Sequence, residues 1–263
     1  MKAKTNGIET NYEIHGREGA PWLTFSHSLA CTLRMWDDQV AAFKDSFRIL
    51  LYDTRGHGAS EAPKGPYTLD TLAEDLRQLL AQLNIKKTHY VGLSMGGMIG
   101  QTLVLEHPEL FDRVVLADTG HAQTPETRKQ WEERIRTAET KGMEPLVQPT
   151  MERWFTKDFR QTPAARRIAQ IIRSTPVPGY VGCCHAISNL NTTARLKDIK
   201  RPVLAITGEQ DAAAPGTRYI GENVPGAKLV VIPQAAHIAN IEQVEAFNRA
   251  LREFLSSPAS ARA

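Results

Sequence analysis

"VGLSMGGM", Val91–Met98, sets one serine between two glycines, with an apolar run before it and a helical pattern after it. A chain that turns from a strand straight into a helix needs small neighbours, because the two backbones approach closely at the bend. Gly92 and Gly96 stand two residues either side of Ser94, the G-x-S-x-G spacing. At such a bend the serine takes strained dihedrals, and its hydroxyl stands exposed at the carboxyl end of a sheet. The N–H of Met95 opens the following helix and points to where an oxyanion forms. Five letters alone also occur in glycine-rich turns. The flanking strand and helix are what make Ser94 the candidate nucleophile.

A serine hydroxyl is a poor nucleophile until an imidazole takes its proton and an anion holds that imidazole. In a sheet of this kind the partners follow in the order Ser, Asp or Glu, His. Downstream, "AITGEQDAAAP" runs from a strand through a turn to Asp211, and "VVIPQAAHIANIE" runs from a strand through a loop to His237. Both sit just past the carboxyl end of an expected strand, so all three side chains converge on one rim. Glu209 is a nearby alternative acid, and His27, His57, His121 and His185 are alternative bases; the matched positions favour Asp211 and His237. His57, in "DTRGHGAS", reads as a brace for a glycine-rich turn. The second oxyanion donor is expected in the loop "SHSLA", where the backbone N–H of Leu29 partners that of Met95. His27 and Ser28 hold this loop, with Ser28 in reach of substrate.

Working outward, "GIETNYEIHG", "PWLTFSH", "FRILLYD", "THYVGLS", "FDRVVLADT", "RPVLAITG" and "AKLVVIP" read as strands. "DTLAEDLRQLLAQL" spaces Leu72, Leu76, Leu79, Leu80 and Leu83 as one helix face, "MGGMIGQTLVLEHPEL" continues as a helix from the bend, and "IEQVEAFNRALREFL" closes the chain as another. Apolar strands separated by helices make an α/β fold, a mostly parallel central sheet with helices on both faces. The rhythm breaks over 120–195, which has no convincing strand. That stretch is expected to be an inserted helical cap, with the core formed by 1–119 and 196–263.

The composition narrows the function. The chain has 263 residues, 41% hydrophobic, with 32 basic and 29 acidic side chains for a net charge of +3. No basic stripe suggests nucleic acid. No apolar run reaches the ~20 residues of a membrane span, and "MKAKTNGIET" has no apolar segment behind it, so neither membrane nor secretion is expected. Three cysteines, Cys31, Cys183 and Cys184, fit reduced thiols in a cytoplasm. Without CxxC or HExxH no metal site is expected. The tail "SSPASARA" reads as a frayed end. A homo-oligomer is compatible with the sequence but not readable from it.

With these residues placed, the chain resembles the α/β-hydrolases over nearly its whole length, and more narrowly the 3-oxoadipate enol-lactonases of aromatic catabolism. The stretches that carry the resemblance are "SHSLA" followed by "MWDDQV", "YDTRGHGAS", "GLSMGGMIGQ", "VVLADT", "MERWFT", "GYVGCCHAI" and "AAHIANIEQ". "ERWFT" and "GYVGCCHAI" lie in the expected cap and point to the lactonases in particular. The chain departs from that family at His27, where asparagine is usual, and in "GHAQTPETRKQW" and "SNLN". The resemblance implies a small ester or lactone substrate, an acyl-enzyme on Ser94 and no cofactor. A carboxylate on the substrate would want a cap cation, for which Arg128, Arg134 and Arg153 are the candidates, with Trp131 and Trp154 walling the pocket. A general carboxylesterase with the same triad is the alternative. A non-catalytic receptor on the same fold is the reading from another class.

Overall fold

The computed structural model describes residues 1–256; the expected frayed tail lies, but for Ser256, outside the described residues. The elements run in order β1 (Lys2–Thr5), β2 (Ile8–Gly16), β3 (Trp22–Ser26), α1 (Asp37–Phe43), β4 (Arg48–Tyr52), α2 (Leu69–Gln82), β5 (Thr88–Leu93), α3 (Met95–Glu106) and β6 (Phe111–Ala117). Then come α4 (Pro125–Lys141), α5 (Glu144–Trp154), α6 (Pro163–Ser174) and α7 (Val177–Ser188). The chain closes with β7 (Val203–Gly208), α8 (Ala214–Asn223), β8 (Lys228–Ile232), α9 (Ala239–Glu242) and α10 (Val244–Leu255).

The strands form one sheet in the order β1-β2-β4-β3-β5-β6-β7-β8. Only β1 with β2 and β2 with β4 pair antiparallel; β4 through β8 are parallel throughout. This is the mainly parallel sheet the apolar strands predict. β3, β5, β6 and β7 occupy its centre, and Leu23, Phe25, Val91, Val114, Val115 and Ile206 on them are fully buried. β1 carries Lys2 and Lys4 on the sheet edge and has no apolar alternation to announce it.

α2 starts where Thr68 accepts the Thr71 N–H at 3.0 Å. It buries Leu72, Leu76, Leu79 and Leu80 as its spacing predicts. Two expected helices end differently. α3 stops at Glu106 because Pro108 disfavours helical dihedrals at His107, and Pro108–Leu110 form a 3₁₀ turn. The C-terminal helix breaks at Gln243 (φ −130°, ψ 60°) into α9 and α10. The break turns Glu242 inward while α10 keeps Phe247, Leu251 and Phe254 on the core.

The four helices α4–α7 follow β6 and precede β7. The α7 backbone lies directly on the core: a Cβ at Gly179 would come within 2.0 Å of the Gly56 carbonyl oxygen. No described helix is long and apolar enough to cross a membrane.

Candidate active site

The bend after β5 shows why its glycines are needed. Ser94 has φ 55° and ψ −112°, a conformation that costs a non-glycine residue about 1–3 kcal/mol. A Cβ at Gly92 would lie 2.3 Å from the Gly96 carbonyl oxygen, and one at Gly96 would lie 2.1 Å from that of Ser26. The strain is held by three bonds: Ser94 N–H to Ala117 C=O (2.9 Å), Met98 N–H to Ser94 C=O (3.0 Å) and Thr119 Oγ1 to Ser94 C=O (2.8 Å).

Asp211 follows β7 and His237 follows β8, as the sequence placed them. The Nδ1 of His237 lies 3.0 Å from Asp211 Oδ1, and that oxygen also accepts the Ala213 N–H at 2.9 Å. Burial works to raise the Asp211 pKa, but the adjacent imidazole and its hydrogen bonds outweigh this and leave it below the ordinary value. The carboxylate therefore persists as the anion that fixes the imidazole with its proton on Nδ1. That leaves Nε2 free to accept a proton. Trp154 sits beside the ring, 5.9 Å between centroids.

Ser94 and His237 line the same cavity of about 610 Å³, without a hydrogen bond between hydroxyl and imidazole. In substrate-free enzymes this bond is often long and tightens when substrate binds. Among the described residues no acceptor takes the N–H of Leu29 or Met95, both of which are buried. Met95 is the first residue of α3, where N–H groups have no partner within the helix. The Ser28 hydroxyl, fully buried and on the cavity wall, is also without a partner.

The cavity roof comes from α4 and α5. Arg134 lies over the Trp131 ring at 4.3 Å. Arg153 donates to Thr150 Oγ1 at 3.1 Å and is half-buried. Burial, with the charge of Arg134, brings the Arg153 pKa down to about 10. Neither arginine has a carboxylate partner among the described residues, and both face the cavity with Trp131 and Trp154. Arg128 is a correction: it is exposed and off the cavity. Thr127, Trp131 and Arg134 share the inward face of α4, and one residue after Thr127 turns ~100° away.

The alternative residues fall elsewhere. Glu209 is exposed and accepts the Gln234 N–H. His27 and His57 are buried, their Nε2 atoms accepting from Thr54 N–H and Ala30 N–H, both at 2.9 Å. His121 lines the far end of the cavity, stacked on Tyr219 at 4.2 Å. Two acidic residues escaped the sequence reading. Asp118, after β6, is fully buried beside Asp211. Glu242 accepts from Thr156 N–H (2.9 Å) and Ala236 N–H (2.8 Å). No local pattern marks Glu242; for Asp118 the available signal is an acidic residue just past a strand end. Among the described residues no cluster of His, Cys, Asp or Glu has the makings of a metal site.

Comparison with known proteins agrees with this fold. The family model described as alpha/beta hydrolase fold matches residues 14–244. A 3-oxoadipate enol-lactonase of Acinetobacter baylyi is 37% identical over 253 residues, 93% of this chain and 92% of that protein. The crystal structure of an enol-lactonase from Burkholderia xenovorans superposes with a TM-score of 0.93 at 38% identity, covering 98% of this chain and 100% of that one. A thermophilic esterase from Thermogutta terrifontis superposes at 0.90 with 27% identity, covering 97% of this chain and 98% of that one.

Proposed function

The chain belongs to the α/β-hydrolase family and is an ester or lactone hydrolase, and from that premise we propose that it opens 3-oxoadipate enol-lactone through an acyl-enzyme on Ser94. The observation that carries the lactone reading is the pair of arginines without acids, Arg134 and Arg153, in the cavity that also holds Ser94. Two guanidinium groups facing a partly buried space demand an anion, and a planar carboxylate matches their forked donors. The enol-lactone carries such a carboxylate.

The steps follow from the positions. Ser94 Oγ attacks the ring carbonyl as His237 Nε2 takes its proton, and the Leu29 and Met95 N–H groups hold the oxyanion. Each such donor is worth about 3–4 kcal/mol in the transition state. The acyl C–O bond then breaks. The departing enol oxygen takes the proton from His237, and the enol tautomerises to the ketone. Water, deprotonated by His237, attacks the acyl-enzyme and releases the second carboxylate, returning the proton to Ser94. The Ser28 hydroxyl is placed to touch the substrate. The three unbridged thiols support a cytoplasmic setting, and the substrate a step in aromatic catabolism.

R153M tests the reading. Loss of a charge-assisted bond should lower kcat/KM on the enol-lactone by about 10- to 100-fold, chiefly through KM, and leave p-nitrophenyl acetate little changed. Fast turnover of the simple ester with a sluggish lactone in the unaltered protein would make it a general carboxylesterase. Failure of a fluorophosphonate to label Ser94 in the folded protein would make it a binding protein instead.

A further inference from the structure

Asp118 follows β6 with φ 46°, and its backbone N–H donates to Ile206 C=O of β7 at 2.8 Å. Its Oδ1 accepts the Gly208 N–H at 2.7 Å, at the end of β7 and three residues before Asp211. The other oxygen, Oδ2, is buried and has no hydrogen-bond partner among the described residues. Asp211 repeats the pattern: Oδ1 is engaged by His237 and Ala213, and Oδ2 is buried without a donor. The two carboxyl groups are within hydrogen-bonding reach of each other. Two oxygens that can only accept do not make a bond. One of them must carry a proton, since like charges this close in a buried place do not both ionise.

We propose that Asp118 is a positioning residue that keeps its proton at neutral pH and donates it from Oδ2 to Asp211 Oδ2, completing a chain Asp118–Asp211–His237–Ser94. The charged and titratable groups facing the pair favour this order. His237 holds the anion on Asp211, whereas Asp118 meets the Asp211 carboxylate and the N–H groups of Gly208 and Ala239. Burial first, and the Asp211 charge second, push the Asp118 pKa well above the ordinary carboxyl range. The donated bond draws charge toward Asp211 Oδ2 and away from the oxygen that faces His237. It thereby limits how strongly the imidazolium is stabilised, and so sets the pH at which the base becomes free. It also stops the Asp211 carboxylate from rotating off the ring.

The role rests on the Ser94–His237–Asp211 reading, but its test separates the two. An infrared difference spectrum of unaltered protein minus D118N, at neutral pH and without substrate, should contain the C=O stretch of a protonated carboxylic acid. Without the band in unaltered protein the proposal fails, whatever the enzyme turns over. On substrate, D118A should lower kcat/KM about 10- to 100-fold and move its acid limb to higher pH. D118N, whose amide donates to Asp211 and whose carbonyl accepts from Gly208, should recover most of that loss and the limb. A limb unmoved in D118A, or D118N as impaired as D118A, overturns the positioning role. If D118A fails to fold, the band and the D118N limb decide; an ionised Asp118 would give no band and a limb moved down in D118N.

Discussion

Ala30 N–H donates to His57 Nε2, and Ala30 follows the residue whose N–H is proposed to hold the oxyanion. The histidine must be neutral to accept that bond. Burial first, and the neighbouring His27 second, bring the His57 pKa from its ordinary value near 6.5 down to about 3. Burial lowers His27 in the same direction, and its Nε2 accepts Thr54 N–H from the same turn. The sign follows: in the unfolded chain both rings gain a proton as pH falls below about 6.5, while the folded chain resists. Their stabilisation is therefore complete above that pH and drains away below it, for His57 toward about 3. Each ring contributes a slope of up to about 1.4 kcal/mol per pH unit. Urea midpoints measured between pH 7 and 5 should fall, and H57Q, whose side-chain carbonyl can still accept from Ala30, should show a shallower fall. Equal slopes in both proteins would mean that His57 is charged in the fold. The sequence predicts a turn brace at His57; that it grips the neighbour of Leu29 depends on a contact 27 residues apart in the chain.

The loop that carries His237 is fastened to the helix that carries Arg153. Ile238 N–H donates to Trp154 C=O at 3.2 Å, and Glu242, turned inward by the break between α9 and α10, bridges Thr156 and Ala236. The histidine is thus held from the cap side as well as from Asp211. E242A would leave two N–H groups, of Ala236 and Thr156, without acceptors. With each worth about 1–3 kcal/mol, the variant should lose several kcal/mol of stability. It should also lower kcat on lactone and simple ester alike, since the histidine loop serves both. A loss confined to the lactone's KM would place Glu242 in substrate binding instead. At this scale the sequence was legible where a pattern is local. The strand–serine–helix bend, the leucine face of α2 and the strand ends before Asp211 and His237 all read from a few adjacent letters. Arg128 did not, because three arginines on α4 give no phase until the helix is docked. Asp118 and Glu242 did not, because their partners lie 90 and 86 residues away.

Across the whole molecule, the helices from α4 to α7 meet the rest of the chain at several buried contacts, two of which bear on the site. One is the Trp154–Ile238 and Thr156–Glu242 seam. The other is α7, whose Gly179 backbone lies against Gly56 so closely that even a methyl group has no room. The core side of that second contact is the "DTRGHGAS" turn, which also carries the buried Arg55–Asp75 ion pair (2.6 Å) and His57. Helix α7 therefore presses on the same turn that braces the loop of Leu29. Helices tied down through buried, well-packed surfaces should not melt by themselves. We expect one calorimetric transition for the unaltered protein. G179A must push the Gly56 backbone aside, an overpacking cost of about 1–3 kcal/mol. It should lower the Tm of that single transition by roughly 2–10 °C and, through the displaced turn, reduce kcat as well as raise KM. A G179A protein with two transitions, the upper one at the original Tm, would mean that the cap and core fold as separate units and that the α7 contact holds nothing but the cap.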